Sequence, residues 1–216
     1  MSLLEDSWEQ REEVIYKNLF GDLGECIFPL DEDIFINGFK QESYDPRWLH
    51  HGVFSSPPNG DRKTWLYVTS GMSNPWEAEQ VEEYSGFGTE LVMETKEKSD
   101  WAMNVLRKLM AYNILLAHGI YGDCPLLDYW HRIPFALSRT NSEEINICYM
   151  MIVTPNHYPQ SIELKSGKVD FLHIIGITEK ELEYAKKNGS NELYKLLVKE
   201  KIAPVTYRDR SCIFST

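Results

Sequence analysis

The sequence lacks the features that mark membrane and secreted proteins. No two of its four cysteines form a C-x-x-C pair, and the amino terminus has no signal-like apolar segment. Its apolar runs are far shorter than the about 20 residues needed to cross a bilayer. These absences predict a cytoplasmic protein with no membrane association, in which four cysteines are reduced: Cys26, Cys124, Cys148 and Cys212.

Basic residues are scarce relative to acidic ones. Lysine and arginine number 22 against 33 aspartates and glutamates, which gives a formal charge of -11 over 216 residues. Binding to DNA or RNA normally begins with a basic surface that releases counterions from the phosphates. The charge therefore disfavours direct nucleic-acid binding and favours a basic partner, although it also agrees with a protein that is merely soluble.

The sequence also lacks a recognisable motif for catalysis or metal binding. It contains no G-x-S-x-G turn, and its histidines are scattered apart from His50 and His51, which would point to opposite faces of a strand. Residues 31–33 (D-E-D) resemble the start of a calcium loop, but Ile36 stands where that loop requires glycine. We therefore predict no catalytic residue, no metal and no cofactor.

Some catalytic alternatives stay open at this level. Cys124 follows the polar turn formed by Gly122 and Asp123, and it is the thiol most suited to reactivity. An enzyme or a small-molecule binder can also assemble its site from residues that are far apart in the sequence. Carboxylates are abundant, but abundance does not identify an acid and base pair.

Four segments rich in β-branched and aromatic residues predict strands, at residues 64–70, 88–95, 147–154 and 169–177. The sequence K-S-G-K at residues 165–168 is typical of a hairpin turn. We expect the last two of these strands to be antiparallel neighbours.

Helix signals lie between and around these strands. A D-x-x-E pattern at residues 6–9 predicts the start of a first helix, and Thr178 with Glu181 forms a second capping box. Ser99 and Asp100 cap a long helix with an apolar stripe: Trp101, Val105, Leu109, Tyr112 and Leu116. We expect this stripe to pack against the strands around four residues: Leu66, Val92, Ile152 and Ile174.

The order of these elements predicts one α+β domain. No repeat, low-complexity tract or linker divides the chain. Strands and helices that alternate without a strict βαβ pattern are typical of a mixed, largely antiparallel sheet packed against several helices. We therefore assign residues 1–216 to a single domain.

Several separated motifs resemble the Suppressor of fused domain. The segment W-L-Y-V-T-S-G-M-S at residues 65–73 is followed by E-Y-S-G-F-G-T-E-L at residues 83–91. The resemblance continues through residues 109–112 and 171–177, and it covers residues 64–214. The core of the signature, S-G-F-G-x-E-L, comprises six positions: Ser85, Gly86, Phe87, Gly88, Glu90 and Leu91.

This resemblance implies a mixed α+β domain that binds and restrains other proteins without catalysis. In animals such proteins hold back a transcription factor, and they carry a further carboxy-terminal domain. Short single-domain bacterial relatives are instead associated with toxin systems. For this chain the resemblance implies an immunity protein or antitoxin that binds a toxin stoichiometrically, and a general adaptor or regulator is the alternative.

The resemblance also implies a partner site at Tyr112 and Asp123, positions that help to engage the partner peptide in animal relatives. Tyr112 equally fits the apolar stripe of the helix, and Asp123 equally fits a residue that shapes its turn. Cys124 stands where animal members have a histidine. An acidic stretch is a further candidate surface for binding a basic, nuclease-like toxin: Glu77, Glu79, Glu82 and Glu83. The alternative is that this stretch is a solvated loop without a binding role.

Overall fold

The computed structural model describes residues 2–24, 27–135 and 146–214, so Cys26 lies outside the described residues. Within them, one mixed sheet has eight strands: β1 (Phe28–Pro29), β2 (Gly52–Ser56), β3 (Trp65–Ser70), β4 (Tyr84–Thr95), β5 (Arg132–Pro134), β6 (Tyr149–Val153), β7 (Ser161–Leu164) and β8 (Gly167–Ile177). Their order is β1-β2-β3-β4-β8-β6-β5, and β7 also pairs with β8. The β4 and β8 pair is parallel, and the other pairs are antiparallel.

Helices cover both faces of this sheet, which confirms the predicted α+β class. The amino-terminal helix consists of α1 (Leu3–Glu9), a π-helical segment (Gln10–Tyr16) and α2 (Lys17–Phe20). A π-helical turn at Ile34–Gly38 and a 3-10 turn at Pro46–His50 precede β2. The later helices are α3 (Asp100–Ala117), α4 (Glu179–Asn188) and α5 (Ser190–Lys199).

Helix α3 covers one face of the sheet with the stripe expected from its sequence. Ile152 and Ile174 belong to the core under this helix, as predicted. Val105, Leu109 and Leu116 of the stripe are buried, and Trp101 and Tyr112 are partly buried. The partial exposure of Tyr112 leaves it available to a groove beside the helix.

The prediction was wrong for Leu66 and Val92, which lie on the opposite face of the sheet. There they pack with Tyr16 and Phe20 of the amino-terminal helix. Helices α4 and α5 cover the other part of this face. Because both faces are covered and apolar, the composition of a single strand does not reveal which face meets α3.

Two of the three predicted helix caps need correction. At the start of α3, Ser99 is the N-cap residue as predicted, but its side chain makes no capping hydrogen bond, and Asp100 is already helical. The backbone N–H of Thr178 donates to Glu181 Oε2 at 2.9 Å, and the N–H of Glu181 donates to Thr178 Oγ1 at 3.4 Å, so this predicted capping box is confirmed. At the amino terminus the capping box is formed by Ser2 and Glu5 instead of residues 6–9. Ser2 has the extended backbone that a cap requires, whereas residue 6 is already helical.

The short strand β7, which pairs with β8, was not predicted from the sequence. β6 and β8 pair antiparallel as predicted, with Ile152 opposite Ile174. The turn at residues 165–168, however, joins β8 to the short strand β7. In the described part of the tail, Thr206 forms an isolated parallel bridge with Thr95.

Candidate functional site

A groove of about 760 Å³ lies between α3, the π-helical turn at Ile34–Gly38 and the segment around β5. We call it the aromatic groove, because apolar and aromatic side chains form most of its wall. These are Phe39, Leu109, Tyr112, Tyr121, Ile133 and Phe135. A concave apolar surface of this size lies within the range of about 300 to 1,000 Å³ found for ligand sites.

Tyr112 lies at the centre of an aromatic ladder in this groove. Its ring stacks on Phe39, with 6.3 Å between the centroids and 17° between the planes. It also contacts the ring of Tyr121, with 5.4 Å between the centroids and 49° between the planes. Burial raises the pKa of Tyr112, so its hydroxyl stays protonated and can donate a hydrogen bond. The two interpretations of Tyr112 therefore coexist, because it packs against the core and also lines an open groove.

The rim of the groove is polar. Lys108 lies 5.6 Å from the ring centroid of Phe135, and Asn37 donates to Asp33 at 2.5 Å. Cys124 is exposed and lines the groove. Asp123, the residue before it, is also exposed but is not part of the wall. The fold thus brings the turn that contains Asp123 to the groove that contains Tyr112.

The acidic stretch lies elsewhere on the surface. It forms part of the loop between β3 and β4, and we call residues 77–83 the acidic loop. All four of its glutamates are exposed, and Glu77 forms an ion pair with Arg47 at 3.2 Å. None of them lines the aromatic groove. The two sets of candidate residues therefore form two surfaces.

The S-G-F-G-x-E-L motif holds the chain that leads into this loop. Glu90 is fully buried, and its carboxylate accepts hydrogen bonds from the backbone N–H groups of Gly71 and Ser73, each at 3.0 Å. The hydroxyls of Ser73 and Thr69 donate to it at 2.6 Å. Arg11, also fully buried, donates to Ser73 Oγ at 2.9 Å. Several donors compensate the buried negative charge of Glu90, as burial of a carboxylate requires.

The first residues of the motif fix the same loop from the other side. Ser85 Oγ donates to the carbonyl of Ser73 at 2.6 Å, and the N–H of Phe87 donates to the carbonyl of Met72 at 2.7 Å. Gly86 has φ of +57°, and a Cβ there would lie 2.6 Å from the carbonyl oxygen of Asn74. Only glycine fits such a close approach of two backbones. In this structure the motif residues therefore have a structural role, because they hold the loop after β3 in place.

A hydrogen-bonded pair of a partly buried tyrosine and a buried histidine lies on the other face of the sheet. Tyr158 Oη is 2.7 Å from His173 Nδ1, and His173 Nε2 is 3.1 Å from the carbonyl of Pro204. Nε2 therefore donates to the carbonyl, and the hydroxyl of Tyr158 donates to Nδ1. Burial lowers the pKa of His173, so the ring is neutral. Both ring nitrogens have partners, which is typical of a structural histidine.

Neither a metal-ligand cluster nor a membrane-spanning helix is present in residues 2–24, 27–135 and 146–214. There, no three histidine, cysteine, aspartate or glutamate side chains converge in a way that could hold a metal ion. The helices in the same ranges are each too short or too polar to cross a membrane.

Sequence reasoning missed Phe39 and Tyr121 in the wall of the aromatic groove, and it missed Arg11 among the residues that support the loop after β3. Phe39 follows a short π-helical turn, and it meets Tyr112 only through the tertiary fold. Tyr121 lies in the turn that also contains Asp123, so its closeness to the predicted site was a usable signal. Arg11 gave no signal, because its position on the amino-terminal helix does not reveal that the helix packs on the sheet.

The fold is shared with three solved structures. The Sufu-Fu complex crystal structure matches with a TM-score of 0.58 and 18% identity, over 76% of this chain and 77% of that chain. Drosophila Suppressor of Fused matches with a TM-score of 0.57 and 21% identity, over 74% of this chain and 42% of that chain. A SUFU homolog from Neisseria gonorrhoeae FA 1090 matches with a TM-score of 0.55 and 16% identity, over 77% of this chain and 79% of that chain.

A comparison with curated proteins gives no match. A family model described as Suppressor of fused protein (SUFU) matches residues 47–211, which is most of the chain. This range contains Tyr112, Asp123, the acidic loop, the S-G-F-G-x-E-L motif and the strands at the centre of the sheet, whereas Phe39 of the aromatic groove precedes it. The chain therefore belongs to the Suppressor of fused family.

Proposed function

We propose that this protein binds a partner protein in the aromatic groove and acts through that binding, without catalysing a reaction on the partner. The observation that carries the proposal is the ladder of Phe39, Tyr112 and Tyr121 in an open groove. Tyrosine rings contribute much of the affinity of protein interfaces because they bury a large apolar area and keep one polar group. The ring contacts of Tyr112 with Phe39 and Tyr121 also order these side chains before binding, which lowers the entropic cost of association.

Asp123 belongs to the same proposal as a polar residue beside the groove. It is exposed in the turn whose next residue, Cys124, lines the groove. An exposed carboxylate next to an apolar groove can accept hydrogen bonds from the backbone or side chains of a bound segment. Tyr112 would then supply apolar contact and a hydroxyl that donates a hydrogen bond, and Asp123 would supply orientation.

The partner in this proposal is a basic toxin of the nuclease type, and the protein acts as its immunity protein or antitoxin. The charge of -11 supports a basic partner, because opposite net charges accelerate association. The resemblance to toxin-associated relatives suggests that the partner is a toxin. The domain in this proposal is the single domain of residues 1–216, located in the cytoplasm where its partner acts.

The acidic loop would steer this encounter. Its four glutamates are exposed, so their field reaches into solvent: Glu77, Glu79, Glu82 and Glu83. Changing all four to glutamine should lower the association rate most at low salt, and raised ionic strength should remove the difference. The dissociation rate should respond mainly to residues in direct contact with the partner.

Co-expression with a nuclease-like toxin encoded beside this gene tests the function. Rescue of growth should follow the formation of a stable complex and saturate near equimolar amounts. Rescue by a small fraction of the toxin concentration, or turnover of a substrate, would show that the protein is an enzyme and would overturn the proposal. A co-expressed variant with Tyr112→Ala in the groove should form less complex and rescue less.

A further inference from the structure

A second pocket, of about 370 Å³, lies between the acidic loop and the end of α3. Three aromatic side chains line it: Trp48, Trp76 and Phe87. Glu77 and Glu82 of the acidic loop also line it, as does the buried residue Asn74. We call this site the Asn74 pocket.

Asn74 has an unusual environment for a buried amide. Its side chain is 2% exposed, and neither Nδ2 nor Oδ1 has a hydrogen-bond partner among the described residues. Its backbone is held in place, because its N–H donates to the carbonyl of Gly71 at 3.0 Å. A buried polar group without partners destabilises a fold, and an apolar side chain of similar size would pack there at lower cost. The amide thus points to a group that enters the pocket.

The charges around the pocket favour a cation. Glu77 and Glu82 are exposed carboxylates in its wall. Arg47 also lines it, but its guanidinium already donates to Asp45 at 2.6 and 2.9 Å and to Glu77 at 3.2 Å. The ring of His51 adds no positive charge near neutral pH, because burial lowers its pKa to about 4.

The aromatic walls favour the same chemistry. Indole and phenyl rings attract cations through the negative potential of their faces, and a planar guanidinium stacks on them better than an ammonium does. Trp76 is partly buried and contacts the rings of His50 and His51 at tilted angles, with centroid distances of 6.0 and 6.2 Å, and these contacts restrict its orientation. At about 370 Å³ the pocket is suited to one side chain rather than to a folded segment.

We propose that the Asn74 pocket receives an arginine side chain of the protein partner. The guanidinium stacks on Trp76, donates to Asn74 Oδ1 and is neutralised by Glu77 and Glu82. This assignment rests on the proposed function, because it supplies a specific contact for the same basic partner. It also gives the glutamates of the acidic loop two roles. Glu77 and Glu82 contact the arginine, whereas Glu79 and Glu83 do not line the pocket.

A small probe tests the pocket without any partner. N-acetyl-arginine amide is titrated into the isolated protein, and the side-chain NMR signals of Trp76 and Asn74 are followed. N-acetyl-citrulline amide, which has nearly the same shape but no charge, is the matched control. The arginine probe should shift both signals saturably in the millimolar range, and the citrulline probe should bind about tenfold more weakly. Equal binding of the two probes, or no shift of either signal, would overturn the proposal.

Two pairs of substitutions distinguish direct contact in the Asn74 pocket from general attraction by the negative charge of the acidic loop. Glu77→Gln with Glu82→Gln should weaken the arginine probe about tenfold. Glu79→Gln with Glu83→Gln removes the same charge from the same loop, and it should change the affinity less than about twofold at physiological salt. Equal effects of the two pairs would mean that the loop attracts cations without a pocket, and would contradict the assignment.

Asn74→Leu provides a readout that a purely structural role would not produce. It should preserve or raise the thermal stability of the free protein while it weakens the arginine probe. Loss of stability with unchanged probe binding would contradict the assignment. The two proposals can fail separately. If the arginine probe does not bind, the proposed binding of a partner protein in the aromatic groove is not affected. If the protein does not rescue cells from the toxin, the result of the probe titration still stands.

Discussion

Glu90 and Ser73 form a double contact, in which both the backbone N–H and the hydroxyl of Ser73 donate to the same carboxylate oxygen, at 3.0 and 2.6 Å. This contact ties the middle of β4 to the loop that follows β3. The same loop continues into Asn74 and the acidic loop, so the pocket and the charged surface both depend on a buried carboxylate.

Replacing Glu90 tests this dependence. Glu90→Gln should lower the free energy of unfolding by about 2 to 4 kcal/mol, because an amide NH₂ group would face donors and the buried Arg11 would lose a compensating charge. Urea denaturation measures the change. Glu79→Gln, an exposed change of the same type, should alter stability by less than about 0.5 kcal/mol. Equal stabilities of the two variants would show that the Glu90 contacts contribute little.

The buried His51 predicts a loss of stability in mild acid. Burial lowers its pKa from 6.5 to about 4, and its Nδ1 donates to the carbonyl of Trp48 at 3.1 Å. Between these two pH values the unfolded chain takes up a proton that the folded protein does not bind. The stability contributed by this group is therefore present above pH 6.5 and is lost as the pH falls toward about 4. The total effect is at most about 3 kcal/mol.

His51→Gln should flatten this part of the pH dependence, as measured by urea unfolding from about pH 7 down to about pH 4.5. Burial also lowers the pKa of His173, which acts in the same direction, so some dependence should persist. The adjacent His50 is exposed, and His50→Gln is the matched control that should keep the wild-type slope. If both variants keep that slope, the acid sensitivity has another source.

Glu181 and Arg210 hold the carboxy-terminal tail on the start of α4. Their side chains are 0% and 7% exposed, and two hydrogen bonds join them at 2.7 and 2.5 Å. Burial alone would raise the pKa of Glu181, but the hydrogen bonds and charge of Arg210 lower it below 4.5. The stability from this group is therefore present above pH 4.5 and is lost as the pH falls through the lowered pKa.

Arg210→Met should lower the free energy of unfolding by about 3 kcal/mol or more at neutral pH, because it leaves a buried carboxylate without its partner. Hydrogen exchange should accelerate in residues 205–214 before the rest of the fold. Lys186→Met breaks the exposed pair with Glu183 and should cost less than about 0.5 kcal/mol. A similar small cost for both variants would mean that the tail is held by its apolar contacts.

The aromatic groove predicts a measurable role for Tyr112 and Asp123 in partner binding. Tyr112→Phe and Asp123→Ala should each weaken binding about 5- to 30-fold, which corresponds to about 1 to 2 kcal/mol. Isothermal titration calorimetry on folded variants measures the change. Tyr207→Phe and Asp209→Ala are matched controls, since both residues are exposed and lie outside the groove. Unchanged affinity in both groove variants would exclude this site.

The sequence alone determined the features that depend on neighbouring residues. The capping box of Thr178 and Glu181 was readable because each residue bonds to the other's backbone within one helical turn. The strands around Leu66 and Ile174 were readable because β-branched and aromatic side chains favour extended backbone. The charge of -11 and the S-G-F-G-x-E-L motif are likewise properties of the chain as written.

The way in which these parts meet depends on the tertiary structure. Leu66 was placed on the wrong face because both faces of this sheet are apolar, so its own neighbours do not indicate its packing partner. Phe39 and Tyr112 are 73 positions apart, and Arg11 and Ser73 are 62 apart, so folding alone brings each pair together. A groove and a buried charge network are contacts between elements. Local propensity cannot specify them, because it acts over one or two turns of chain.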